Sequence, residues 1–196
     1  MNYLRSFEYK ITPEDSYPII RNCSLCGGKS IYVNSNNFRM NANGNKIDIW
    51  LIYQCKKCKH TYNLPIYERK KVDSILPNYL SRFMENDQEL AKAYGTDKSI
   101  FVRNKTEIDW SNVNYQIINT KTLNSISDEF IDFHLGDFIQ LSNPWGLKVR
   151  TDKILATILH IPRNIVKQLE ASGSIEILIS QHDPNIGIII RGEIYT

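Results

Sequence analysis

Four cysteines, grouped as two C-x2-C pairs with 28 residues between them, constrain this chain more than any other feature. Cys23 and Cys26 form the first pair, Cys55 and Cys58 the second. Two residues between cysteines let one tight turn aim both sulfurs at a single ion. Gly27 and Gly28, directly after Cys26, supply the backbone freedom such a knuckle needs. The intervening residues suit a β-hairpin that returns the second knuckle beside the first. The expectation is a zinc ribbon: one structural, tetrahedral Zn2+ per chain held by Cys23, Cys26, Cys55 and Cys58. A small sheet of this kind takes most of its stability from the metal.

The competing uses of cysteine fit less well. The start, Met1 to Glu8, lacks the apolar core of a signal peptide, and no apolar run approaches the roughly 20 residues that span a bilayer. The expected compartment is the cytoplasm, where thiols stay reduced, so two close pairs read as ligands rather than disulfides. A thioredoxin-like pair needs one C-x-x-C opening a helix, and iron–sulfur spacings differ. Four thiolates leave a zinc ion no open position for water, which argues against catalytic zinc. His60 reads as a strand neighbour of the cluster rather than a ligand.

At 196 residues, 42% hydrophobic and 23% charged, the chain can bury a core and has an ordinary globular composition. The expected fold class is α+β, in three regions. Residues 1–71 form the β-rich zinc ribbon. Ser30–Val33 and Lys46–Gln54 read as strands around the turn residues Asn41–Asn45, and Thr61–Tyr67 reads as an edge strand because it contains Pro65. Residues 72–110 read as a helical middle: a helix after Pro77, then a second capped by Asn86 or Asp87 and ended by Gly95, with Leu80, Phe83, Leu90 and Tyr94 as core. Residues 111–196 read as an α+β domain, with Phe130–Leu135 as a strand and a helix pair at 148–178. The first of these helices is capped by Thr151 or Asp152, the second starts at Pro162 and stops at Gly173. A strand at Ile175–Ile179, a turn at Asp183–Asn185 and a returning strand complete a hairpin.

Net charge is only +3, but its distribution is uneven. Lys56, Lys57, Lys59, Arg69, Lys70 and Lys71 crowd the stretch after Cys55 against Glu68 alone, whereas Asp128, Glu129, Asp132 and Asp137 stand together without a basic residue. In the last third, Arg150, Asp152, Lys153, Leu155, Ala156, Arg163, Lys167 and Gly173 fall in register with the pattern R-x-D-K-x-L-A, a gap, S-R, a helix and G. This stretch resembles the small RNA-binding domain first described in ribosomal small-subunit protein four. It departs from that pattern at Ile161-Pro162, where a serine cap is usual, and lacks the Val-Asn-Gly turn. The resemblance implies that Arg150, Lys153, Arg163 and Lys167 contact an RNA backbone.

A second resemblance spans nearly the whole chain. Cys23-Ser24-Leu25-Cys26-Gly27, Phe38-Arg39-Met40-Asn41-Ala42-Asn43-Gly44, Asp48-Ile49-Trp50-Leu51-Ile52-Tyr53 and Cys55-Lys56-Lys57-Cys58 are similar to the motifs of a bacterial family catalogued as a domain of unknown function. Tyr62 stands where that family has tryptophan, which keeps an aromatic ring. The resemblance implies a fold and no activity.

The functional expectation is a zinc-containing, non-catalytic nucleic-acid-binding protein. Its expected partner is structured RNA rather than DNA, with Tyr53, Tyr62 or Tyr67 as rings on which bases could stack. The alternative is a protein–protein adaptor with its own protein partner. No nucleophile–base pair, phosphate loop or paired acidic motif points to an enzyme, and neither a membrane nor a small-molecule substrate is implied.

Overall fold

The computed structural model describes residues 5–121, 131–179 and 185–195. The chain divides into two compact units, Pro13–Asn114 and Met1–Thr12 with Tyr115–Thr196. The first is therefore an insertion in the second.

In the unit Pro13–Asn114 the strands are β2 (Ile19–Cys23), β3 (Gly28–Asn43), β4 (Lys46–Cys55), β5 (Thr61–Lys71) and the short β6 (Glu107–Ile108). They pair antiparallel in the order β5-β4-β3-β2-β6, curved into a half-barrel. A two-residue turn, Gly44-Asn45, joins β3 to β4, and Gly44 takes the positive φ of +61° that a turn matching the strand twist requires. β4 alternates perfectly, with Ile47, Ile49, Leu51, Tyr53 and Cys55 buried. The β3–β4 register slips between Asn34 and Phe38. There Asn36 sits at φ +58°, Asn34 Oδ1 accepts the Asn36 amide at 2.9 Å, and Ser35 donates to the Ile52 carbonyl at 2.8 Å. Extra residues on one strand bend it, which assists the curvature.

Three short helices share the core of this sheet: α1 (Pro77–Met84), α2 (Gln88–Gly95) and α3 (Lys98–Arg103). Phe83 meets Phe38 edge-on at 4.8 Å and stacks on Tyr94 at 5.5 Å, while Phe101 lies against Tyr17 and Tyr53. Such aromatic pairs add to simple area burial. The Gly95 carbonyl accepts the Tyr17 amide at 2.8 Å, and Ser16 packs so close to Gly95 that a Cβ has no room.

In the other unit, β1 (Ser6–Pro13), β7 (Tyr115–Asn119), β8 (Phe138–Ser142), β9 (Ile175–Ile179) and β10 (Ile186–Ile190) form a mixed sheet in the order β7-β1-β8-β10-β9. β1 runs parallel to β8, whereas β10 is antiparallel to both β8 and β9. Helices α4 (Thr151–Ile158) and α5 (Arg163–Ala171) bury Ile154, Leu155, Ile158 and Val166. The turn before β8 is held by Asp137, whose side chain is fully buried. Its carboxylate accepts Arg5 Nε at 3.0 Å and the His134 amide at 2.8 Å.

The expected fold class is overturned. The protein is β-rich, built on two five-stranded sheets, and its helices are short pieces packed with them, not a helical middle with a C-terminal helix pair. The reason is long-range pairing. β1 leaves the N-terminal region to join β8, and β6 returns from the middle to β2. Periodicity along the chain carries no signal for either. Local corrections follow the same logic. Residues 131–134 form no strand. α4 is preceded by Arg150 with no side-chain cap, because Asp152 is engaged elsewhere. Asp87, not Asn86, caps α2 by accepting the Leu90 amide, while Asn86 Oδ1 accepts the Phe38 amide. Phe83 and Leu90 are buried as expected, whereas Leu80 and Tyr94 are half-buried. The expectations for Asp128, Glu129, Phe130, Asp183 and Pro184 lie outside the described residues.

Burial pushes the Asp137 carboxyl up, but the Arg5 hydrogen bond and charge, with the His134 amide, outweigh it and hold it below the ordinary carboxylate range. A depressed folded pKa contributes stability that is complete above the unfolded value and lost as pH falls through the folded one. Arg5→Met should therefore destabilise by roughly 2 kcal/mol at neutral pH, less than for a fully buried pair because Arg5 is partly exposed. Denaturant titration should show that deficit narrowing below about pH 4, where the carboxylate protonates in the unfolded chain.

Candidate metal centre

Strand order places the cysteines. Cys23 ends β2 and pairs with Gly28 at the start of β3, so the first knuckle is the β2–β3 turn. Cys55 ends β4, and residues 56–60 turn the chain into β5. β3 and β4 are antiparallel neighbours, with Tyr32 opposite Cys55. Both turns therefore lie at one end of the sheet, and the Gly44-Asn45 turn lies at the other.

The two knuckles repeat one backbone design. The Gly27 amide donates to the Cys23 carbonyl and the Lys59 amide to the Cys55 carbonyl, both at 2.9 Å. The residue after each second cysteine is left-handed, Gly27 at φ +71° and Lys59 at +63°. Lysine tolerates this poorly, so the second knuckle holds a strained residue where the first has glycine. The Lys56 amide donates to the Ile31 carbonyl at 2.8 Å and ties the second knuckle to β3.

All four sulfurs lie within 4.8 Å of one another. Across the knuckles, Cys23 Sγ is 3.4 Å from Cys58 Sγ, and Cys26 Sγ is 3.9 Å from Cys55 Sγ. Cys23 and Cys55 are buried, Cys26 and Cys58 exposed. The thiols divide electrostatically in the same way. The Tyr32 hydroxyl, hydrogen-bonded to Cys23, helps bring that thiol down to about 6, whereas hydrogen bonding with Cys58 foremost pushes Cys26 up to about 12. The Cys58 amide lowers Cys55. Two thiols ionise easily, and their neighbours keep the protons that hydrogen-bond the other sulfurs. A bound cation displaces those protons and lets all four act as ligands. The cluster can thus hold one metal ion. His60 Nε2 is 3.3 Å from Ser24 Oγ, which links the two knuckles outside the sulfurs.

The other expected site residues lie in the second unit. Arg150 and Arg163 share one carboxylate, Asp152, at 2.9 and 3.0 Å. Their hydrogen bonds, that of Arg163 foremost, hold Asp152 below the usual range. Lys153 Nζ stands 5.1 Å from the centre of the Tyr115 ring, and Lys167 is exposed. Two of the four cations are therefore already committed to an internal acid. The aromatic expectations also shift. Tyr53 is wholly buried and donates to the Tyr17 carbonyl at 3.1 Å, so it cannot stack on a base. Tyr62 lies under the Arg21 guanidinium at 3.6 Å, and the Tyr67 hydroxyl meets that of Tyr94 at 3.0 Å. Tyr32 was missed from sequence; counting back along the hairpin from Gly44 would set Asn34 opposite Cys55, and only the register slip at Asn34–Phe38 brings Tyr32 there.

A β-rich protein of two sheets, with a four-cysteine cluster at one end of the first, is the class these features define. A family model described as "Protein of unknown function (DUF1062)" matches residues 40–181, and the chain belongs to that family. The match includes the second knuckle and begins beyond the first. No curated protein and no solved structure matches the chain. No helix among the described residues is long and apolar enough to cross a membrane.

Cys55→Ser removes one ligand from a cluster that joins two hairpins. The variant should lose bound metal, and its unit Pro13–Asn114 should become the preferred site of proteolysis and melt several degrees lower. Elemental analysis with limited proteolysis and calorimetry checks this; melting and cleavage identical to the parent protein would mean the cluster has no structural role.

Proposed function

We propose that this is a zinc-containing, non-catalytic nucleic-acid-binding protein whose partner is structured RNA. The zinc is structural and is held by Cys23, Cys26, Cys55 and Cys58 as a zinc ribbon. The observation that carries the metal reading is the gathering of four sulfurs from two matching turns. Tetrahedral zinc with bonds of about 2.3 Å spaces its sulfurs about 3.8 Å apart, and the cross-knuckle separations of 3.4 and 3.9 Å bracket that value. An all-thiolate set favours zinc over oxygen-loving cations, and it leaves the ion no site for substrate.

The RNA reading is supported by charge at the same end of the sheet. Lys56, Lys57 and Lys59 are exposed on the second knuckle, and none forms an ion pair among the described residues. Lys29 is exposed just past the first knuckle. Unneutralised cations of this kind gain affinity for phosphates by releasing counterions. Arg150, Lys153, Arg163 and Lys167 offer a second basic surface, weakened by Asp152. The alternative, a protein–protein adaptor, is favoured by Leu76, Tyr79 and Met84, which leave apolar surface exposed at α1.

Elemental analysis should find one zinc per chain. Affinity for an RNA hairpin, measured over a salt series, should fall steeply with salt. Changing Lys56, Lys57 and Lys59 together to glutamine should reduce the log–log slope by about 2, while changing the four basic residues of α4 and α5 should reduce it less. Binding no better than that of a neutral control protein would reject the RNA reading in favour of the adaptor.

A further inference from the structure

Beside the second knuckle, within the unit Pro13–Asn114, a cleft of about 450 Å³ opens along β3. Its floor includes Ile31 and Val33, which alternate with the buried Ser30 and Tyr32 and so face outward, half-buried. Its walls are fixed by hydrogen bonds. Asn34 donates to Ser16 Oγ at 2.7 Å, and the Asn114 carbonyl accepts the Glu14 amide at 3.1 Å. The cleft is thus already shaped before a ligand arrives.

Four lining groups are left over. Asp15, Asn36, Asn114 and Lys56 line the cleft, and all four are exposed at its rim. No hydrogen bond or ion pair engages any of these four side chains among the described residues. An apolar wall, a rim of unused amides, one acceptor-only carboxylate and one cation form a definite chemical pattern. A flat ring can lie on Ile31 and Val33. Amides donate and accept at its edge, a carboxylate takes paired N–H groups, and a lysine meets phosphate.

We propose that this cleft binds one unpaired nucleobase of an RNA loop or bulge, and that Asp15 selects guanine. The inference rests on the RNA reading above. Guanine presents two adjacent donors, N1–H and the 2-amino group, to a single carboxylate. Uracil presents one donor flanked by two carbonyl oxygens, which the carboxylate repels. Lys56 takes the adjoining phosphate, and Lys57 and Lys59 continue the positive track along the strand. Sequence-selective RNA recognition uses exposed bases of this kind, because the grooves of the duplex are poorly readable.

The test uses the full chain loaded with one zinc and four hairpins that share a stem and differ at one unpaired loop position: guanine, inosine, adenine or uracil. Fluorescence anisotropy should give about tenfold tighter binding for guanine than uracil, with inosine between them because it lacks the amino group. Asp15→Asn should erase the preference while melting unchanged, since the native carboxylate holds nothing in place. Lys56→Gln should keep the preference and lower the salt slope by about 0.7, the share of one phosphate on a single strand. Binding that is equal for all four hairpins, or a preference that survives Asp15→Asn, overturns the cleft assignment and leaves the RNA reading standing. Absence of binding to every hairpin overturns both.

Discussion

The antiparallel pairing of β3 with β4 is the interaction on which the half-barrel depends. It is the longest ladder in the chain, and its direction decides where the turns fall. Because β2 joins β3, and β5 joins β4, at the end opposite Gly44, both cysteine turns arrive at one rim. The alternation of β4 then turns Cys55 inward together with Tyr53 and Leu51. The sulfurs meet as a consequence of backbone hydrogen bonding and pleat. The cluster inherits a charge problem from that placement. Tyr32 and the knuckle amides favour thiolate at Cys23 and Cys55, while Cys26 is held protonated. Half of the cluster is thus set up as thiolate, an arrangement that could receive a metal ion.

The register slip at Asn34–Phe38 joins two functions of the same strand. It bends β3 over the aromatic cluster of Phe38, Phe83 and Tyr94, and it leaves Asn36 exposed, its amide bonded to Asn34 and its side chain with no hydrogen bond among the described residues. Bulges commonly re-aim side chains in this way. One strand therefore lines the core on one face and the cleft on the other. A change in β3 packing would be felt at both.

Local chemistry was legible in the sequence wherever it determined the outcome. The C-x2-C pairs, the turn residues Asn41–Asn45, the β-branched and aromatic density of Lys46 to Gln54 and the helix start at Pro77 all act within a few residues. The illegible parts depend on distant partners. Phe138 to Ser142 become a strand because Ser6 to Lys10 lie beside them in parallel. Glu107 and Ile108 become one because they find β2. Asp152 looks like a helix cap until Arg163, eleven residues on, is seen to claim it. Tyr53 looks like a stacking platform only while the burial of its strand face is unknown. The cleft had no signal in the sequence, because Asn36 and Asn114 stand far apart in the chain and border one space only in the fold.

The insertion of one unit within the other has a consequence for how the chain is made. A ribosome completes Pro13–Asn114 well before it reaches β8, so that unit can fold while synthesis continues. β1 cannot follow. Its parallel neighbour emerges about 130 residues later, a delay of roughly 7–25 s at ordinary elongation rates. Throughout that interval the β1 edge that will meet β8, on a strand carrying Tyr9 and Ile11, stays unpaired. Such an edge invites pairing with another nascent copy. The vulnerable moment in this protein's life is thus the wait of its first strand for its partner, and chaperone engagement would be expected at that N-terminal segment.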